Sequence, residues 1–221
     1  GPLIAGTEYK LIDLEGRDVT KIPGAKGTLH VRGPQIMQGY YKNPKKTADV
    51  LTPDGWFNTG DLVVMNYSGE ISIVGRSKDT LVLVGGENVE PTPIEEKLKE
   101  SEFVDHVMLV SCAFGEDQKV LGALIVPNAD NLGEWCKKNG IGGDLSAWVK
   151  DPKVNAMYRS EINKYINGEN GFKNFEKIGV FALLKKPFEQ GDELNNTLKV
   201  RRHIVMEKYD KLIDEMYASE K

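Results

Sequence analysis

Residues 55–94 limit what this chain can fold into more than any other stretch. They read GWFNTGDLVVMNYSGEISIVGRSKDTLVLVGGENVEPTPI. Two apolar segments, residues 62–65 and 70–74, flank the polar tetrad Asn66-Tyr67-Ser68-Gly69, the pattern of a β-hairpin. Thr59-Gly60-Asp61 is expected to turn the chain into the first strand, with a buried carboxylate at the mouth of the sheet. Arg76 follows the second strand after one glycine. Lys78-Asp79 then forms a charged joint, and a strand over residues 80–84 enters the Gly85-Gly86 loop. A binding site for a nucleotide followed by a hinge fits this order.

The chemistry of the pair supports that expectation. A carboxylate accepts from two donors at once, which suits a ribose diol, and a guanidinium forks onto phosphate or ribose oxygens. An Asp61–Arg76 ion pair closing the hairpin uses the same residues, and residue types alone favour that plainer alternative.

The chain before this stretch reads as β-rich. Strands are predicted over residues 7–14 and 27–32, and Asn43 caps a short helix with Pro44 at its first position. After the joint, strands and helices alternate. Thr92-Pro93-Ile94-Glu95 spells a capping box for a helix with Ile94 and Leu98 inward. Strands follow at 104–110 and 120–126, joined by the turn Gly115-Glu116-Asp117-Gln118. One helix carries Leu132, Trp135 and Cys136 and ends at Gly140. A longer one starts at Asp151-Pro152, carries Val154, Met157, Tyr158, Ile162 and Tyr165, and ends at Gly168. A strand over 178–184 precedes a terminal helix with Val205, Tyr209, Leu212, Ile213 and Met216 inward. The expected fold class is α+β: a β-rich part over residues 1–78 and a small mixed α/β domain over 79–221.

A net charge of -4 over 221 residues, with signs intermixed, excludes the concentrated basic face of a nonspecific nucleic-acid binder. Cys112 and Cys136 lack metal-ligand spacing, so no metal site is expected and both read as reduced thiols. No apolar run is long enough to span a bilayer, and the first residues lack a signal-peptide layout, which together point to the cytoplasm. His30, His106 and His203 have no partners at catalytic spacing and receive no role.

Three motifs in order, GWFNTGDL, GRSKDTLVLVGGENVEPTPIEEKL and LNNTLKVRRHIVMEKY, together resemble the adenylate-forming superfamily of acyl-CoA synthetases, luciferases and peptide-synthetase adenylation domains. The likeness is greatest to long-chain fatty-acyl-CoA ligases and extends to about Tyr209. It implies a two-step reaction: a fatty acid and ATP give an acyl-adenylate and pyrophosphate, and CoA then displaces AMP. It also implies rotation of a small C-terminal domain between the steps. By this resemblance Lys199 is the catalytic lysine of the first step, Asp61 holds the ribose, Arg76 assists at ribose or phosphate, and Asp79 is the hinge residue. Gly85 and Gly86 line the path of the CoA arm, although a tight strand-to-helix turn explains the same glycines. Two positions depart from the family pattern: Leu198 precedes the lysine, and Val63 follows Asp61-Leu62, where glycine is frequent.

The same resemblance implies ATP, Mg2+ and CoA as cofactors or co-substrates, a fatty acid as substrate, and peripheral contact with a membrane. The phosphate loop, the magnesium-binding Glu and the acyl tunnel belong to a large N-terminal domain that is not in this chain, so the chain alone is expected to lack ligase turnover. Acyl carrier protein as acceptor, or a non-catalytic nucleotide-binding module, are the alternatives. Lys185, Lys186, Arg201 and Arg202 are expected to form a solvated basic face, and Trp56 and Phe57 to pack beneath the Thr59-Gly60 turn.

Overall fold

In the computed structural model, which describes residues 1–83, 85–111 and 120–218, the chain divides into two compact units, Gly1–Thr80 and Leu81–Lys221. The division falls just past Lys78-Asp79.

The first unit is a four-stranded antiparallel sheet in chain order: β1 (Glu8–Ile12), β2 (Lys26–Arg32), β3 (Phe57–Met65) and β4 (Ile71–Arg76). Alternation puts Leu11 and Val63 on one face, where they pack with Val19 and, partly buried, Leu29, Met65 and Ile71. Helix α1 (Pro44–Val50) connects β2 and β3. The Asn43 side chain accepts from Lys46 N–H and Pro44 opens the first turn, as predicted. Thr59-Gly60-Asp61, expected as an entry turn, instead lies inside β3. Leu62 pairs with Thr28 and Asn58 with His30, so residues 59–61 face Leu29 alone as a bulge.

The second unit opens with a short hairpin, β5 (Leu81–Val82) and β6 (Asn88–Val89), and helix α2 (Pro91–Leu98). Its core is a three-stranded sheet with β8 (Leu121–Pro127) in the middle, antiparallel to β7 (Val104–Val110) and parallel to β9 (Ile178–Leu183). Every residue of β8 is buried, which is why that segment reads as an unbroken apolar run.

Side-chain alternation sorts the sheet residues onto two faces. Val107, Leu109, Ala123 and Ile125 pack with Ile94 and Leu98 of α2, with Leu132 and Cys136 of α3 (Ala129–Lys138), and with Val154, Tyr158 and Ile162 of α5 (Pro152–Tyr165). Met108, Val110, Leu124 and Val126 pack on the other side with Val205 of α6 (Arg202–Lys208) and Ile213 and Met216 of α7 (Asp210–Ala218). The parallel return from β8 to β9 is made through α3, the single-turn α4 (Leu145–Trp148) and α5, the crossover that parallel pairing demands. Asp151 caps α5 through Lys153 and Val154 N–H, ahead of Pro152.

Two expectations are corrected. Glu90 occupies the N-cap of α2 without a side-chain cap bond, so no capping box forms, and Glu95 is used elsewhere. The terminal helix is two helices, broken at Tyr209, whose φ of -109° and ψ of 15° lie off the helical path. Cys112 and the turn Gly115-Glu116-Asp117-Gln118 lie outside the described residues, as does Val84. Cys136 is a buried free thiol. Among the described residues no helix is long and apolar enough to cross a membrane.

Candidate functional site

In the first unit, the β3 bulge builds a small polar platform. Gly60 sits at φ +70°, so the backbone calls for glycine; a Cβ there would lie 3.1 Å from the flexible end of Arg76, which could yield. Side chains hold the bulge from within: Asn58 accepts from Gly60 N–H, and Thr59 accepts from Asp61 N–H while donating to Leu29 O. The bulge turns Asp61 toward its cross-strand partner Arg76. Arg76 Nη1 reaches Asp61 Oδ1 at 2.9 Å, and Nη2 reaches Thr59 O at 3.3 Å.

The ion pair named above as the plainer alternative therefore forms. It does not exhaust the carboxylate. Asp61 Oδ2 has no hydrogen bond among the described residues, and the Asp61 side chain is 29% exposed rather than buried. An exposed pair of this kind adds at most about 1 kcal/mol to stability. Lys10 and Arg32 stand over the Trp56 ring at 4.5 and 4.7 Å.

After β4 the chain makes a turn in which Asp79 N–H bonds Arg76 O at 2.9 Å, while Ser77 N–H bonds Gly60 O. The Asp79 carboxylate has no partner among the described residues. In the second unit, Gly86 closes the β5–β6 hairpin at φ +84° with its N–H on Leu83 O, a conformation that strongly favours glycine. Gly85 beside it is exposed, and a Cβ there would meet only the end of the flexible Glu87 side chain.

Lys199 lies on an exposed hairpin between β9 and α6. The side chain of Asn195 organises it, accepting from Thr197 N–H (2.9 Å), Thr197 O–H (2.8 Å) and Lys199 N–H (2.9 Å). Asn195 N–H in turn bonds Lys199 O. The backbone of Lys199 is thus held, while its ammonium is exposed and has no partner among the described residues.

Leu198 adopts φ +58°, the conformation that glycine would take at that place without strain. Leu198→Gly is expected to stabilise the chain, because relief of about 1–2 kcal/mol of left-handed strain exceeds the roughly 0.5–1 kcal/mol entropic cost of glycine. Thermal denaturation should show a midpoint a few degrees higher, and lower for Leu198→Val; a lower midpoint for Leu198→Gly would refute the strain.

The four basic residues do not form one solvated face. Lys185 and Lys186 are exposed, but Arg201 donates to Gly191 O and Asp192 O. Arg202 turns inward: its guanidinium bonds Leu109 O at 3.0 Å and pairs with the Glu95 carboxylate, which also takes Leu109 N–H. Burial pushes the Glu95 carboxyl up, against the pull of Arg202 and of that N–H.

Below the hairpin, Glu193 is all but fully buried. Its Oε1 accepts from Lys208 (2.6 Å) and Tyr209 (3.1 Å), and its Oε2 from Glu189 N–H (3.0 Å). Among the described residues no three His, Cys, Asp or Glu converge as metal ligands.

The family model described as AMP-binding enzyme C-terminal domain matches residues 78–221, beginning at the charged joint. The chain belongs to the adenylate-forming, AMP-binding enzymes. The chloroplastic long-chain-fatty-acid acyl-carrier-protein ligase of Arabidopsis thaliana is 37% identical over 96% of this chain, which covers 28% of that protein. Long-chain-fatty-acid CoA ligase 1 of Cavia porcellus is 32% identical over 95% of this chain, covering 30% of that protein. The chain thus spans less than a third of either relative. The adenylation domain of the carboxylic acid reductase of Segniliparus rugosus, solved with AMP and a co-purified carboxylic acid, matches with a TM-score of 0.80 at 27% identity. That match covers 100% of this chain and 33% of the reductase chain.

In this member of the family, sequence reasoning overlooked Asn195, Glu193 and the Glu95–Arg202 pair. Asn195, two residues before Thr197, carries a local signal, since Asn side chains close turns onto the backbone ahead of them. The others have none, because their partners are far along the chain or across the fold.

Proposed function

We propose that this chain is the C-terminal part of an ATP-dependent ligase that joins a long-chain fatty acid to the thiol of CoA through an acyl-adenylate. The observation that carries the reading is Lys199, an exposed ammonium with no partner among the described residues, on a hairpin whose backbone is braced. In the first step a carboxylate oxygen bonds to the α-phosphorus of ATP and pyrophosphate leaves. Negative charge gathers on the oxygens of the carboxylate and the α-phosphate, and one ammonium can donate to both. In the second step the thiol sulfur bonds to the acyl carbon, its proton is lost, and AMP leaves.

Asp61 Oδ2 is the acceptor offered to a ribose hydroxyl, with Arg76 holding the other carboxylate oxygen and assisting at ribose or phosphate. Asp79 is the pivot in this reading, and the exposed Gly85-Gly86 turn admits the narrow pantetheine arm. Magnesium would accompany ATP and offset part of its phosphate charge; no residue of this chain is assigned to hold it.

A second reading changes only the acceptor, to the pantetheine thiol of acyl carrier protein. It is favoured by the 37% identity to an acyl-carrier-protein ligase. The test uses the longer ligase that carries this chain, with a long-chain fatty acid, ATP and either CoA or holo acyl carrier protein. Acyl-adenylate trapped by hydroxylamine, followed by thioester on CoA, is the expected result. Thioester on the carrier protein alone would transfer the assignment to the second reading. Nucleotide binding without adenylate would reduce the chain to a non-catalytic module.

Asp61→Asn should weaken ATP binding by about tenfold, since an amide presents one acceptor and no charge to the ribose, a loss of about 1.4 kcal/mol. Unchanged affinity by calorimetry would remove Asp61 from the site.

A further inference from the structure

We propose that Glu193 is a positioning residue for Lys199: a buried carboxylate that fixes the base of the lysine hairpin and thereby aims its ammonium. The inference rests on the reading of Lys199 given above. Residues 195–199 are all exposed, and their recorded hydrogen bonds are within the hairpin or to Gln190. Their location is therefore set where the hairpin leaves the body of the unit, at Glu193 and Leu194, both buried.

Glu193 binds that junction in several directions at once. Through its side chain it holds Lys208 and Tyr209 at the end of α6, and Glu189 N–H on the incoming strand of the loop. Through its backbone O it receives Arg201 N–H at 2.7 Å, two residues after Lys199. The two ends of the hairpin and the helix behind them thus meet on one residue. Lys208 adds a bond to Asp192 at 2.7 Å, and Leu194 N–H closes back on Glu189 O.

Glu193 is buried while the Lys208 that it meets is 44% exposed; the carboxylate contributes stability as an ion and, at this junction, supplies fixed direction. Both oxygens act only as acceptors, and each already faces a donor, so the orientation of the group is fully determined. Burial alone would push the Glu193 carboxyl up. The bonds from Lys208, from the Glu189 and Glu193 N–H groups and from Tyr209 outweigh it and hold the carboxyl at about 2. The clamp is thus ionised at any physiological pH. A lysine at the tip of a hairpin magnifies any play at the base, and a displacement of about 1 Å at a reacting centre costs on the order of a hundredfold in rate.

Glu193→Gln keeps the shape but turns an N–H₂ toward at least one donor. In the longer ligase it is expected to lower the turnover of acyl-adenylate formation about 10- to 100-fold. The KM values for ATP and fatty acid, and thioester formation from pre-made adenylate, should stay within about twofold of wild type. Tyr209→Phe, which removes one donor and leaves Lys208, should show the same pattern at roughly 3- to 10-fold, and it decides the matter if Glu193→Gln does not fold. In the 221-residue chain, amide order parameters over residues 195–199 should fall from about 0.85 toward about 0.6 in either variant, independently of any activity.

Unchanged adenylation, or equal losses in both half-reactions, would overturn the positioning role, as would unchanged order parameters. If Lys199→Ala abolishes adenylation while Glu193→Gln does not, only this inference fails. If Lys199→Ala is silent while the order parameters fall, the hairpin is clamped as described but the catalytic reading beneath it is wrong.

Discussion

Lys199→Ala is expected to slow acyl-adenylate formation by about 10²–10³-fold, the loss of one preorganised donor at a transition state. Thioester formation from pre-made adenylate should stay within about threefold of wild type, because the bond between carboxylate and α-phosphate that Lys199 assists has already formed in the adenylate. The structure makes the substitution clean. The Lys199 backbone is held by Asn195, and its side chain is exposed with no hydrogen-bond or ion-pair partner among the described residues. Lys199→Arg should recover little, since a planar fork replaces a compact charge that must reach two oxygens. Separate assays of the two half-reactions in the longer ligase provide the check. If both are untouched, Lys199 has no catalytic role and the ligase proposal loses its main support.

Arg202→Met is expected to destabilise the second unit by about 3–5 kcal/mol, because it leaves the Glu95 carboxylate in the interior without its cation. Among the described residues, only the Leu109 N–H would remain hydrogen-bonded to that group. The double variant Glu95→Leu with Arg202→Met should recover most of the loss, as apolar side chains of similar volume replace the pair.

The pH dependence has a definite sign. Burial already raises the Glu95 carboxyl against the attraction of Arg202, and removing the arginine raises it further. A group whose folded pKa lies above its unfolded value contributes stability at low pH that is lost as pH rises through the folded pKa. The deficit of Arg202→Met should therefore be largest at neutral pH and shrink in acid. Urea unfolding at pH 7 and pH 5 tests this. A neutral-pH deficit below about 1 kcal/mol, or one equal in the single and double variants, would show that the pair is not a buried dependency.

The contrast between these two residues shows how far the sequence reached. Lys199 was singled out by resemblance through the Leu-Asn-Asn-Thr-Leu-Lys motif, whereas Arg202, three positions later, was read as part of a solvated face. Its partner Glu95 is 107 residues away, and nothing local distinguishes an arginine that turns inward from one that does not. The same blindness produced the capping box at Thr92. A glutamate three residues into a helix can return to its own N-terminus or cross to another strand, and here Leu109 N–H and Arg202 offered more than the N-cap did.

The bulge at Thr59-Gly60-Asp61 was read as an entry turn for a related reason. A glycine with positive φ looks alike in a turn and inside a strand, and pairing with β2 decides between them. The terminal helix broke at Tyr209, where the phenol hydroxyl bonds Glu193 and the ring packs near Phe188. Apolar periodicity continues through that break and could not reveal it.

By itself the sequence determined the order in which the main strands and helices follow one another, the short helix opened by Pro44, and the caps at Asn43 and Asp151. All of these depend on residues within a few positions of one another, where dihedral preferences and periodicity act. Tertiary structure alone decided which charges are buried, which oxygens of Asp61 remain free and what holds the base of the Lys199 hairpin. Those outcomes depend on donors and acceptors brought together across the fold, and their energies exist only once water has been excluded between them.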